Sequence, residues 1–119
     1  MPRIARVAPG GVVYHVLNRG NSRRTIFHKD ADARAFLDLL AEVKRRVPVP
    51  ILGYCLMGNH WHLVLQPRGD GDLSRFMARL TTTHVRRYWL HYGQAGGSGG
   101  HLYQGRFKNF PRCKPTTTC

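Results

Sequence analysis

His60 and His62 are separated by one residue, Trp61, in a run with the composition of a β-strand. Side chains alternate along a strand, so residues two apart share a face, about 6.5–7 Å from each other along the chain. Each neutral imidazole offers one nitrogen lone pair, and two that converge suit a divalent cation. Trp61, Leu63 and Leu65 fall on the opposite face and read as core. A histidine pair of this spacing also arises as plain surface polarity. The turn just before it, the apolar opposite face and a basic context favour a metal pair. Structural zinc needs four protein ligands; Cys55 is on the adjacent strand, but Cys113 and Cys119 sit in an irregular tail. A site with open coordination positions, holding Mg²⁺ or Mn²⁺ against a phosphate, fits these residues better.

The elements that must carry this pair follow from periodicity. Val12–Leu17 is β-branched and aromatic, and Asn18–Arg19–Gly20–Asn21 stops it. Asp30 or Asp32 can start a helix with Phe36, Leu39, Leu40, Val43 and Val47 at helical spacing, closed by Pro48 and Pro50. Ile51–Met57 reads as a strand, Gly58–Asn59 as a hairpin turn of residues that tolerate positive φ, and His60–Gln66 as its antiparallel partner. Asp70 or Asp72 starts a second helix whose core side is Leu73, Phe76, Met77, Leu80, His84 and Tyr88, with Arg75, Arg79 and Arg86 in a stripe opposite. Gln94–Gly100 is a flexible, glycine-rich stretch, and His101–Phe107 is expected as a fourth strand.

The order β-α-β-β-α-β is the split βαβ, ferredoxin-like plan: an α+β fold, an antiparallel sheet with two helices on one face and the other face free. The crossover from strand 1 to strand 2 leaves room for strand 3 between them. His15, on the strand beside the histidine pair, reads equally as a support for the metal ligands or as packing. His84 reads as buried polar. Trp89 lies off the apolar stripe, and serves either to stack a base or to cover the helix end.

Charge names the partner class. The 119 residues hold 19 Lys and Arg against 6 Asp and Glu, a net of +13. Such an excess repels itself unless it meets a polyanion, and arginine's planar fork suits phosphate. No apolar run approaches the ~20 residues of a membrane span, and the basic N-terminus lacks the apolar core of a signal peptide. The three cysteines are odd in number and widely spaced. A cytoplasmic protein with reduced thiols and no membrane partner is expected.

The run Asn59–His60–Trp61–His62–Leu63–Val64–Leu65 resembles the histidine–hydrophobe–histidine (HUH) motif of single-stranded-DNA tyrosine transposases. Tyr14–His15–Val16, Asn18–Arg19–Gly20–Asn21, Ile26–Phe27 and His101–Lys108 are similar to the branch associated with palindromic REP repeats. The resemblance implies a ferredoxin-like domain over residues 1–111 that cleaves single-stranded DNA with a divalent metal, Mg²⁺ or Mn²⁺, on His60 and His62. A tyrosine attacks the phosphodiester to leave a 5′-phosphotyrosyl bond and a free 3′-hydroxyl, later reversed to join strands. Implied partners are single-stranded or hairpin DNA, and in some relatives a second copy of the chain. Arg19, Arg75, Arg79, Arg106 and Lys108 are the candidate DNA contacts, by charge and placement.

One departure stands out. The family's nucleophilic tyrosine lies on a helix after the fourth strand, and here residues 112–119 carry no tyrosine and no helical periodicity. The expectation is a domain without its last helix, ending in an irregular tail. Of the five tyrosines, Tyr88 reads as core and Tyr103 as structural or base-stacking; none replaces the nucleophile. A non-catalytic hairpin-DNA binder and a gene remnant are the competing readings.

Overall fold

A computed structural model describes residues 10–92, 102–105 and 107–112. Its elements are β1 (Val13–Arg19), α1 (Asp30–Arg46), β2 (Ile51–Leu56), β3 (His60–Leu65), α2 (Asp72–Tyr92) and β4 (Lys108–Arg112). The strands form an antiparallel sheet in the order β2-β3-β1-β4. β3 therefore lies between β1 and β2, as the crossover argument requires, and the fold is the expected α+β, split βαβ arrangement.

Alternation decides what each strand residue does. Trp61, Leu63 and Leu65 of β3 are all 0% exposed, and Tyr14 and Val16 of β1 join them under the helices. Phe36, Leu39, Leu40 and Val43 of α1 meet this surface, as do Leu73, Phe76, Met77, Leu80, His84 and Tyr88 of α2, in one cluster. Burying each large apolar side chain stabilises by about 1.5–3 kcal/mol. Asp32 and Asp72 close the helix starts from inside the first turn. Asp32 accepts from the backbone N of His28 at 2.8 Å and Asp72 from that of Gly69 at 3.0 Å.

Two expectations are corrected. The fourth strand is Lys108–Arg112, beyond the expected His101–Phe107. Leu102, Tyr103 and Phe107 are buried and so imitate a strand's apolar pattern. Their stretch instead folds across the end of β1: Asn21 N donates to Leu102 O at 2.8 Å and Gln104 N to Arg19 O at 2.9 Å. Tyr103 makes only an isolated bridge to Gly20. The real β4 contains Pro111, which an edge strand tolerates because one side of its backbone is unpaired.

The second correction concerns the hairpin. Met57 N donates to His60 O at 2.8 Å, closing the two-residue turn, but neither Gly58 nor Asn59 has a positive φ. Tertiary bonds hold it instead: Gly58 O accepts from Ile26 N and Phe27 N, and Asn59 O from Gly20 N. Arg112 closes β4, one residue past the expected 1–111 boundary. Arg106, Gln94–Gly100 and the tail from Cys113 onward lie outside the described residues.

Candidate metal centre and nucleic-acid interface

The β3 pleat that buries Trp61 turns His60 and His62 to the open side of the sheet, both half-buried. Their ring centroids are 5.1 Å apart. His60 Nδ1–H donates to Asn59 Oδ1 at 2.8 Å, which places the lone pair of the neutral ring on Nε2. His15 lies diagonally across from His62, on β1, with its Nε2 2.9 Å from His62 Nδ1 and the rings stacked at 5.0 Å. In the tautomer where His62 Nδ1–H is the donor, its Nε2 also carries a lone pair. Both rings then offer Nε2, each braced through Nδ1, as metal-binding imidazoles commonly are.

The surroundings favour the neutral form of His62. Partial burial, first, and the neighbouring His15, His60 and Arg19 hold its pKa below the ordinary histidine value. No strand carries an acidic residue; all six acids are in α1, at the start of α2 or in the loop before it. Consistently, among the described residues no group of three or more His, Cys, Asp or Glu is arranged to hold a metal ion. His60 and His62 fit a divalent cation as two of its ligands. The oxygen ligands that Mg²⁺ and Mn²⁺ prefer must come from water or from a bound phosphate.

Positive charge flanks the pair. Arg19 is in register with His60, and Leu17 with both His62 and Lys108. Arg19, Gln104 and Lys108 line a pocket of about 290 Å³ beside the histidines, with Asn18 and Gly105. Asn18 is the buried brace here, donating from Nδ2 to Gly105 O at 3.2 Å and accepting Arg19 N on Oδ1 at 2.9 Å.

The other candidate DNA contacts are elsewhere. Arg75, Arg79 and Arg86 line a groove of about 470 Å³ with Ala78, Thr82 and Thr83 of α2 and Val47 just after α1, on the helix side of the sheet. Arg75 is ion-paired with Asp72. The structure thus brings Arg19 and Lys108 to the histidines and leaves Arg75 and Arg79 apart from them.

The tyrosines also sort by face. Tyr14 and Tyr54 are in register with Leu65 and Leu63, on the helix side. Tyr88 is buried, with its hydroxyl 2.9 Å from His28 Nε2. Tyr92 bonds Lys29 and Asp32. Tyr103 is buried, accepting from Trp61 Nε1 at 3.1 Å and paired with His84 Nδ1. Among the described residues, none stands on the open face. Phe110, whose ring lies 6.4 Å from that of His15, is a feature unread in the sequence, and Cys55, expected on the adjacent strand, is in register with His62. Their exact partners required the strand register.

Comparison with known proteins decides the family. The family described as "Transposase IS200 like" matches residues 10–112. The chain belongs to that family. Two solved structures share the fold of this IS200-like domain. One, described as a transposase from Deinococcus radiodurans R1, has a TM-score of 0.71 at 17% identity, covering 97% of this chain and 89% of that one. The other, a REP-associated tyrosine transposase bound to a REP hairpin, has a TM-score of 0.67 at 19% identity, covering 98% of this chain. This chain spans 65% of that protein's length. No curated protein matches the sequence. No helix among the described residues is long and apolar enough to cross a membrane.

Proposed function

We propose that this IS200-like transposase domain grips single-stranded or hairpin DNA across its open sheet face and holds Mg²⁺ or Mn²⁺ on His60 and His62 beside one backbone phosphate, in the nicking and joining of DNA in the cytoplasm. When bound, such a cation neutralises the negative charge that develops on the phosphate during displacement. The chain's own residues do the rest. His60 and His62 present Nε2; Asn59 and His15 fix the rings; Arg19 and Lys108 take the phosphates on either side. The observation that carries the reading is the braced pair of imidazoles on a carboxylate-free face of this fold.

A phosphotyrosyl step forms a bond from tyrosine Oη to phosphorus and releases the 3′-oxygen, which takes up a proton. The described residues put no tyrosine on the face where this happens. All five tyrosines of the 119 residues are among those described, so a nucleophile on this face would be supplied by another chain. That same observation favours a second reading, a hairpin binder without chemistry. A gel assay on a DNA hairpin with an unpaired flank, with and without Mn²⁺, separates the two. A covalent protein–DNA adduct supports strand transfer, and a shifted but uncleaved hairpin supports the binder. Absence of any shift overturns both.

A further inference from the structure

The turn after β1 breaks a local rule. Ser22 (φ 54°, ψ 38°) and Arg23 (φ 63°) are consecutive left-handed residues, and neither is glycine. That conformation crowds the Cβ of an L-residue, and glycine would remove the penalty at either position. The surroundings nonetheless enforce it. Arg23 N donates to Gly20 O at 3.2 Å, and Arg24 N to Asn21 O at 2.9 Å. The turn is so tight that a Cβ on Gly20 would lie 2.0 Å from Arg24 O. Strain that the fold preserves instead of relieving points to a task for the side chains it displays.

Those side chains are two adjacent arginines, both exposed. Neither Arg23 nor Arg24 has an ion-pair partner among the described residues, whereas Arg75 and Arg87 do. The Arg24 guanidinium lies over the Trp89 ring, 5.2 Å from its centroid. Trp89 Nε1 is itself buried and without a hydrogen-bond partner. Strained backbone, unpaired cations and an orphaned donor thus meet in one place. An anion with several acceptor oxygens suits the two unpaired cations, and the Trp89 ring seats the Arg24 guanidinium beside Arg23.

We infer that Asn21–Arg24, with Trp89, is a second DNA-backbone contact, separate from the histidine face. The inference rests on the DNA-binding reading above. Arg23 and Arg24 each take a phosphate through the side chain, since their backbone N–H groups are already bonded within the turn. The site's place on the chain fits. The turn follows Arg19, which is in register with His60, and Gly20 N is bonded to Asn59 O, so DNA leaving the histidines past Arg19 runs onto it.

The test is the salt dependence of binding to a flanked hairpin, for the wild-type chain and for Arg23→Gly, Arg24→Ala and the double variant. Each lost phosphate contact lowers the slope of log K against log[salt] by about 0.7–0.9. The double variant should lower it by roughly twice that, with at least a fivefold loss of affinity at low salt. Arg23→Gly also relieves the left-handed strain, so its melting temperature should hold or rise while binding weakens. A merely structural arginine cannot give that split. Trp89→Phe should abolish a DNA-induced change in tryptophan emission, and Mn²⁺ affinity should not move in any of these variants. A double variant that binds with the wild-type slope overturns the inference alone. A wild-type chain that binds no hairpin overturns the DNA reading with it.

Discussion

The two faces of β3 obey opposite rules. Trp61, Leu63 and Leu65 vanish under the helices, while His60, His62 and Val64, interleaved with them, remain half-exposed. The contrast extends to histidine itself. His84 is sealed in the core, 8% exposed, between Tyr103 and the rings of Phe27 and Phe36, and its pKa falls to about 4 by loss of hydration. His62 stands on the open face, braced by His15. One face supplies stability and the other is the proposed site of metal and DNA binding, so substitutions should separate the two properties.

The largest separation is expected from Trp61→Ala. It removes the biggest fully buried side chain and its bond to Tyr103, and should cost about 3–5 kcal/mol in urea denaturation. Alanine at His60 or His62 should change stability by less than about 0.5 kcal/mol. Equal losses on both faces would break the comparison.

His84 gives the next effect, read in pH. Its folded pKa of about 4 lies below the unfolded value of 6.5, so the unfolded chain binds its proton first. Stability from this group is complete above 6.5 and declines as pH falls towards 4, by on the order of 3 kcal/mol. His84→Gln should flatten that part of the stability profile. An unchanged slope would mean that His84 is not sealed.

On the open face, His62→Ala should weaken Mn²⁺ binding at least about 100-fold by calorimetry, with the fold intact. The smallest effect belongs to His15→Ala, about tenfold in the same titration, because it loosens the ring of His62 without removing a ligand.

Much of this was legible from period alone. The alternation of β3 and the buried side of α2 followed from apolar spacing, and the place of β3 between β1 and β2 from the crossover connection. β4 was hidden because Lys-Asn-Phe-Pro-Arg has no strand signature, while Leu102, Tyr103 and Phe107 imitate one. The histidine pair was readable, but its brace was not decided. Whether His15 touches His62 depends on a diagonal across two strands, which only the register fixes. Charge pointed to a polyanion partner without pointing to a side, so Arg19 and Lys108 could not be told from Arg75 and Arg79. The left-handed turn left no trace, because Ser22 and Arg23 occupy positions where glycine would be the signal.

The most direct test is pulsed EPR of Mn²⁺ bound to the protein with hairpin DNA. Two imidazole nitrogen couplings and one phosphorus coupling are expected, the nitrogen couplings disappearing in the His60→Ala, His62→Ala double variant. A fully hydrated ion with no nitrogen coupling, or couplings that survive the double substitution, would contradict a cation held between these histidines and the DNA.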